Sequence, residues 1–588
     1  MASEYHVKRG DIKQPQIDLE LDAELFGMSP QAENNAKALT AALRFCKENA
    51  VNRLCIKPGV YSFEITQSFT LNDIADFEIY APHVRFVFYS PIPNTEQITF
   101  FRMERCQRVK FTGLAFDWDA EREPLASLVR AEKVTEEYVE FFCMENREIS
   151  DTSLFVSLNA VNPETYTPGV EDGREYNIDG NQRESFSKRE YIGKQRCRCW
   201  YKRGNSGKNI FAEGSCYLVR HYMYNGGIFL IFNSTHITFE GVSIYGAPGS
   251  GFDIRGRSSY FYFHRLQITV PDYDKRHITT TADAVFLAGT DGHMLFEECD
   301  IGYQGDDGIN IHNSVYRGIK RVPGDADGII LKAAFRKGDI LSFANTDLTP
   351  TGFSSEIIDK QPVGDAFRFV LKQNIPDNIN SESLVYNTSF DSSDFVIRGC
   401  RFHENRARGI LVQADNGIIE DCEFYHIQGA AIQIETGVSA GWCEGRGVRD
   451  VIIRNNRMIG CDVNDWGKGV VYMSTYTPDG IPIKNSDYPN PTSTVGDASG
   501  ASYRTAYPVF RNITIDGNII EEYPRRAMIL TSFDGLVFKN NTFVNTCPRR
   551  QNNPDRGSVL VAYGTNDEKE NNVFEPSPYM LMPMIDRR

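Results

Sequence analysis

The sequence predicts an all-β chain: a right-handed parallel β-helix with an N-terminal capping helix and two inserted small β-barrel-like domains. Three observations carry that expectation. First, one phrase recurs from RVKFTGLAFD (108–117) to LVFKNNTFV (536–544): an alternating strand, a small or polar residue, one further residue, then an apolar one. Second, its anchors stand one rung apart, with 22 residues from Cys400 to Cys422 and 23 from Asn518 to Asn541. Third, helix signals nearly vanish beyond residue 50. Repeats of this length bury their apolar face only by stacking on one another.

The elements follow in chain order. SPQAENNAKALTAALRFCKENA (29–50) starts at a Ser-Pro cap and is rich in Ala, Leu and Lys, which predicts a helix. RLCIKPGVYSF (53–63) reads as a strand broken by a Pro-Gly turn. A single amphipathic helix ahead of the strands suits a cap over the first rung, whose edge is otherwise exposed. The repeated phrase then runs through HITFEGVSIY (236–245), MLFEECDIG (294–302), FVIRGCRFH (395–403), GIIEDCEFY (417–425), VIIRNNRMI (451–459) and ITIDGNII (513–520). Cys299, Cys400, Cys422, Asn456, Asn518 and Asn541 fall in one slot of it, and a buried turn stack explains them without metal or redox chemistry.

Two gaps exceed a rung: 128 residues from Leu114 to Val242 and 101 from Cys299 to Cys400. Insertions account for both. The expected units are 1–119 (cap and first rungs), 120–228 (first insertion), 229–316 (catalytic rungs), 317–392 (second insertion) and 393–588 (C-terminal rungs). CRCW (197–200) in the first insertion has no partner pair or His cluster, so zinc is not expected there.

Composition excludes several classes. With 41% hydrophobic residues the chain can build a large core. Net charge is −15 without a Lys/Arg run, which argues against nucleic acid and anionic membranes as partners. Thirteen cysteines without framework spacing read as reduced thiols. MASEYHVKRGD carries no apolar leader core. The chain as written reads as cytoplasmic, or as secreted or periplasmic if a leader was trimmed.

The candidate site lies in two parallel phrases, TTTADAVFLAG (279–289) and YQGDDGINIHN (303–313). Asp306 and Asp307 follow Asp283 by one rung length, so the three carboxylates converge on one patch. They cannot all ionise freely, and one holds a proton near neutral pH. A protonated acid beside ionised carboxylates suits glycosidic bond hydrolysis. Strand alternation puts Ile309, Ile311, Ile410, Val412, Ile432, Ile434 and Ile254 inside the helix. It turns Asp253, Arg255, Asn310, His312, Gln413, Gln433 and Glu435 outward, a row of hydrogen-bonding groups suited to sugar hydroxyls. Calcium is the other use of clustered oxygens. Neutral amides, His312 and a repelling Arg255 make the row a poor calcium cage, so no metal or organic cofactor is expected.

TADAVFLAG…FEECDIGYQGDDGINIH, with NRARGILVQ (405–413), AAIQIETG (430–437) and GWCEGRGVRDVIIRNN (441–456), resembles glycoside hydrolase family 110, the exo-acting α-1,3-galactosidases. The resemblance covers most of the chain and implies removal of terminal α-1,3-linked galactose with inversion, as on blood-group-B-type glycans. It implies Asp306 as general acid, Asp283 and Asp307 as activators of water, and Trp442 and Glu444 as sugar contacts, with Arg408 joining the substrate-binding candidates. An inverting pair is expected about 6.5–9.5 Å apart. The partner is a glycan ending in α-galactose, and a homodimer is compatible with the sequence. Family 28 polygalacturonases share the three-Asp logic, but their Gly-His-Gly motif and Arg-Ile-Lys clamp are absent here. Family 110 enzymes are commonly exported, and this chain shows no export signal. The alternatives are another β-helix glycosidase acting on plant or pectic glycans, a calcium-dependent lyase, and a non-catalytic glycan-binding β-helix.

Overall fold

A computed structural model describes residues 6–588 apart from 91–97, 146–148, 150–153, 171–174, 178–185, 203–210, 272–275, 323, 439–442, 467, 477–480, 483–502, 505–506, 548–556, 579, 581 and 588. The chain coils into a parallel β-helix with three strands per rung. One rung comprises Gly292–Glu297, Asp300–Gly302 and Ile309–His312. The next comprises Phe395–Arg398, Arg401–His403 and Ile410–Gln413, each paired in parallel with its counterpart. The ladder continues without a break although 82 residues of chain intervene between His312 and Phe395: Ile309 pairs directly with Ile410.

 The 82 are residues 313–394, which leave the helix after His312 and return at Phe395. A right-handed crossover is the default for parallel strands joined this way.

The inward positions stack as the alternation predicts. Val285, Ile309, Ile410 and Ile432 form one column, and Ile254, Leu287, Ile311, Val412 and Ile434 form another, all buried in one core. Toward the N-terminal end the core is aromatic, with Phe101, Phe229, Phe239, Phe252 and Phe263 packed at ring separations of 4.7–5.5 Å. Offset and edge contacts of this kind add to simple area burial.

The turn slot is a hydrogen-bonded ladder. The Cys299 amide donates to Cys400 Sγ at 3.5 Å, and the Cys422 amide to Asn456 Oδ1 at 3.0 Å. The Asn456, Asn518 and Asn541 amides donate in turn to Asn518, Asn541 and Asn572 side-chain oxygens. All thirteen cysteines are free thiols. Cys197 and Cys199 lie in the apolar core of the first insertion.

Each insertion is a seven-stranded antiparallel sheet among the described residues. The first runs from Ala126–Val134 to Cys216–Arg220, the second from Val315–Tyr316 to Leu384–Asn387. One face of the first sheet, with Val129, Phe141 and Val219, forms its own core. The other, with Leu128, Cys216 and Leu218, joins the core of the helix, so the sheet is docked rather than tethered.

The N-terminal helix differs from expectation at its start. It spans Ala36–Glu48, not the Ser-Pro pair. The Asn35 side chain accepts from the Ser29 amide and donates to the Ser29 and Ser62 carbonyls, which holds 29–35 in a turn. The helix buries Leu39, Ala42, Leu43 and Cys46 against the first rungs. No helix among the described residues is long and apolar enough to cross a membrane.

The ladder makes a stability prediction. Asn518→Ala removes the acceptor of both the Asn456 amide and its side-chain Nδ2 inside a buried turn. Each orphaned buried group costs about 1–3 kcal/mol, so the thermal midpoint falls. An unchanged midpoint by calorimetry refutes the structural role of the ladder.

Candidate active site

The site is built where two rungs begin the same strand column. Val285 pairs with Ile309 and Ile309 with Ile410, so Asp283, Asp307 and Arg408, each two residues earlier, follow one another on successive rungs. Side chains bind these turns together. The Asp307 amide donates to Asp283 Oδ1 at 3.1 Å, and the Arg408 amide to Asp307 Oδ1 at 3.0 Å. Asn405 Nδ2 donates to the carbonyls of Asp306, Arg406 and Arg408.

Asp283, Asp306 and Asp307 each offer an oxygen within 4.8 Å of the others. This is closer than the separation expected for inversion. Neighbouring rungs stack at the strand spacing of about 4.8 Å, which brings Asp307 beside Asp283, and Asp306 adjoins Asp307 in sequence. Asp283 and Asp307 are 6% and 2% exposed, whereas the Asp306 side chain retains 13%.

Charge is unevenly shared. Burial raises the Asp283 carboxyl well above its ordinary range, and the charges of Asp306 and Asp307 raise it further. Burial also pushes Asp307 up, to about 7, against the pull of Arg408. Burial would raise Asp306 too, but Arg406, Arg408, the Tyr224 hydroxyl and Arg220 outweigh it and hold the carboxyl low. Arg406 reaches Asp306 Oδ1 at 3.0 Å, and Tyr224 donates to Oδ2. Arg406, Arg408, Arg220 and Tyr224 thus favour the ionised form of Asp306, and burial favours the protonated forms of Asp283 and Asp307, whereas the general-acid role expected of Asp306 calls for a proton there.

The other expected contacts divide into groups. Asn310, His312, Gln413, Gln433 and Glu435 face out of the helix, as alternation requires, yet all are at most 5% exposed. Cys443–Glu444 pairs antiparallel with the end of Ile432–Val438 and brings Glu444 to this face. Glu444 Oε1 lies 3.6 Å from His312 Nε2, and the Glu444 carbonyl accepts from Gln413. Gln433 donates to Glu435. The side-chain oxygens of Asn310, Gln413 and Gln433 have no hydrogen-bond partner among the described residues. These outward side chains form a buried polar cluster rather than an open sheet surface.

Asp253 and Arg255 pair with each other at 2.6 and 3.0 Å, and Arg255 lies over the Phe286 ring, which packs against His312. The repulsion of a cation, assigned to Arg255 from sequence, falls instead to Arg406 and Arg408, which lie against the carboxylates. Trp442 lies outside the described residues. Sequence reasoning missed Arg406, Tyr224 and Arg220. Arg406 carried a signal: NRARG occupies, one rung on, the place of the QGDDG turn. Tyr224 and Arg220 sit 82 and 86 positions before Asp306, in a segment without any rung phrase.

Comparison with known proteins agrees with the architecture. A family model described as right handed beta helix region matches residues 374–492. The chain is similar to alpha-1,3-galactosidase A of Bacteroides fragilis, 25% identical over 331 residues, covering 54% of this chain and 50% of that protein. It is also similar to alpha-1,3-galactosidase B of Bacteroides thetaiotaomicron, 22% identical over 565 residues, covering 88% and 85%. The match thus spans about half the length of the first relative. Among solved structures, a family 28 exopolygalacturonase of Yersinia enterocolitica aligns with TM-score 0.39 and 11% identity over 96% of this chain and 79% of its own.

The raised carboxyls predict a pH-dependent stability. An acid with a raised folded pKa stabilises the fold below its unfolded pKa, near 3.9, and that contribution is lost as pH climbs toward about 7. Asp307→Asn escapes the loss. Its thermal midpoint relative to the wild type therefore rises between about pH 4 and about pH 8; a difference flat across that range refutes the raised carboxyl.

Proposed function

We propose that this protein is a glycoside hydrolase that removes terminal α-1,3-linked galactose with inversion, and that it is a member of glycoside hydrolase family 110. The observation that carries the reading is the buried three-carboxylate cluster beside a group of unpartnered amide oxygens. Buried polar atoms without partners are costly, and sugar hydroxyls supply the missing partners. The similarity to proteins named alpha-1,3-galactosidase supports the choice of sugar and linkage. A neutral sugar also suits a chain of net charge −15.

Asp306 is proposed as the general acid because it is the carboxyl with surface to offer a leaving group. Asp283 and Asp307 together take a proton from water. Water is the nucleophile in this reading. Each turnover moves one proton from Asp306 to the departing oxygen and one from water to the Asp283–Asp307 pair. The cluster is left with Asp306 ionised and the pair protonated, which is the charge pattern favoured in the free site. A proton returns from the pair to Asp306 across at most 4.8 Å before the next bond is cleaved. Both insertions flank the site, Tyr224 against Asp306 and Ser392 Oγ on the His312 carbonyl, which favours action on a terminal sugar.

The test is sugar release from α-1,3-, α-1,4- and α-1,6-galactosides and from polygalacturonate, with NMR of the first anomer. β-Galactose is expected first, from the α-1,3 linkage. α-Galactose first overturns inversion, and faster cleavage of polygalacturonate overturns the substrate. Asp306→Asn is expected to lower turnover about 10²–10⁴-fold or more with the fold intact; near-normal turnover refutes its role. Activity is expected to persist in EDTA, and calcium-restored loss in EDTA overturns the metal-free mechanism.

A further inference from the structure

We propose that Tyr224 is a positioning residue for Asp306, delivered to the site by the strap through which the first inserted sheet returns to the β-helix. The proposal rests on the reading of Asp306 as a catalytic carboxyl.

The strap runs from the end of Cys216–Arg220 to the start of Gly226–Phe232. Every residue along it is directed. Arg220 is 1% exposed; its Nη1 donates to the carbonyls of Thr281 at 2.9 Å and Gly305 at 2.8 Å, and its Nη2 to Ser157 Oγ at 2.8 Å. Thr281 lies two residues before Asp283, and Gly305 immediately before Asp306. One guanidinium therefore joins the inserted sheet to both catalytic turns. His221 hydrogen-bonds Ser127 and the Leu154 carbonyl within the insertion, and Tyr222 packs edge-on against Trp118 of the helix.

Tyr224 follows in a tight bend. Its φ is +54°, and the Asn225 side chain closes the bend by accepting from the Met223 amide at 2.8 Å. A non-glycine residue in the left-handed region is strained and persists where its surroundings hold it. The bend turns the Tyr224 hydroxyl onto Asp306 Oδ2, opposite Arg406 on Oδ1. The carboxyl plane is thereby clamped from both ends. Burial and the charges of Asp306 and Asp283 raise the phenol well above its ordinary range, so it acts as a donor and not as a base. The residue as a whole is 45% exposed, while its hydroxyl end is the part buried against Asp306.

Loss of this donor acts on Asp306 in a definite direction. A hydrogen bond to the charged form lowers a carboxyl pKa, so Tyr224→Phe raises that of Asp306. The groups facing Asp306 that remain are Arg406, Arg408 and Arg220 on the positive side and Asp283 and Asp307 on the negative.

The experiment compares wild type, Tyr224→Phe, Asp306→Asn and the double variant. Thermal midpoints across pH are the first measurement and need no activity. A carboxyl held low stabilises the fold above its unfolded pKa and loses that contribution as pH falls. The deficit of Tyr224→Phe is therefore expected to be present near neutral pH, to shrink in acid, and to vanish in the Asp306→Asn background. The second measurement is the pH profile of kcat/KM on the α-galactoside the wild type cleaves. Tyr224→Phe is expected to move one limb upward by about one pH unit and to lower kcat about 10- to 100-fold with less change in KM. Parallel stability curves together with an unmoved profile overturn the proposal. A wild type that cleaves no galactoside overturns the functional reading alone, because the stability arm still tests the Tyr224–Asp306 link.

Discussion

The constraint on which this molecule depends is the register of its parallel ladders. Once Ile309 is paired with Ile410 and Val285 with Ile309, side chains at equal offsets from those strands have no freedom to be elsewhere. Three consequences share that cause: the inward columns of Val, Leu and Ile, the Cys and Asn ladder of the turns, and the meeting of Asp283 with Asp307. Register also explains why the carboxylates stand closer than sugar chemistry alone would suggest. At that spacing the three carboxyls share their protons rather than titrate one by one.

The insertions obey the same rule by interrupting the chain without interrupting the ladder. The second leaves at the end of one rung and returns at the start of the next, the first leaves within a rung, between Gln107–Trp118 and Gly226–Phe232, and both return in register. Their distance in sequence is large, yet they meet the site directly through Tyr224 and Ser392. The catalytic rungs supply carboxylates, and the neighbouring turn and the first insertion supply the groups that set their charge. Arg406, Arg408 and Tyr224 are as much a part of the electrostatics as the acids themselves.

Much of this was legible in the sequence because the signal was local and repeated. The rung length, the alternation that turns Asn310, His312, Gln433 and Glu435 outward, and the shared slot of Cys299, Cys400, Cys422, Asn456, Asn518 and Asn541 all follow from short-range pattern. What escaped was set by contacts between distant segments. Asn310, His312, Gln413, Gln433 and Glu435 face out of the helix yet are buried, and Glu444 lies against His312 and Gln413. The groups that hold the Asp306 carboxyl low, Tyr224 and Arg406 among them, come from other segments of the chain. The helix start failed for the opposite reason: Asn35 offered a local alternative that captured Ser29.

The change of residue type along the turn ladder has a consequence of its own. Cys299, Cys400 and Cys422 line the catalytic half, and asparagines line the half beyond it. The three thiols are 2–3% exposed, so a thiol reagent meets them only when those rungs part. The asparagines answer no such reagent. Followed site by site among the thirteen free thiols, the rate at which these three sulfurs react measures how often the rungs bearing the carboxylates open.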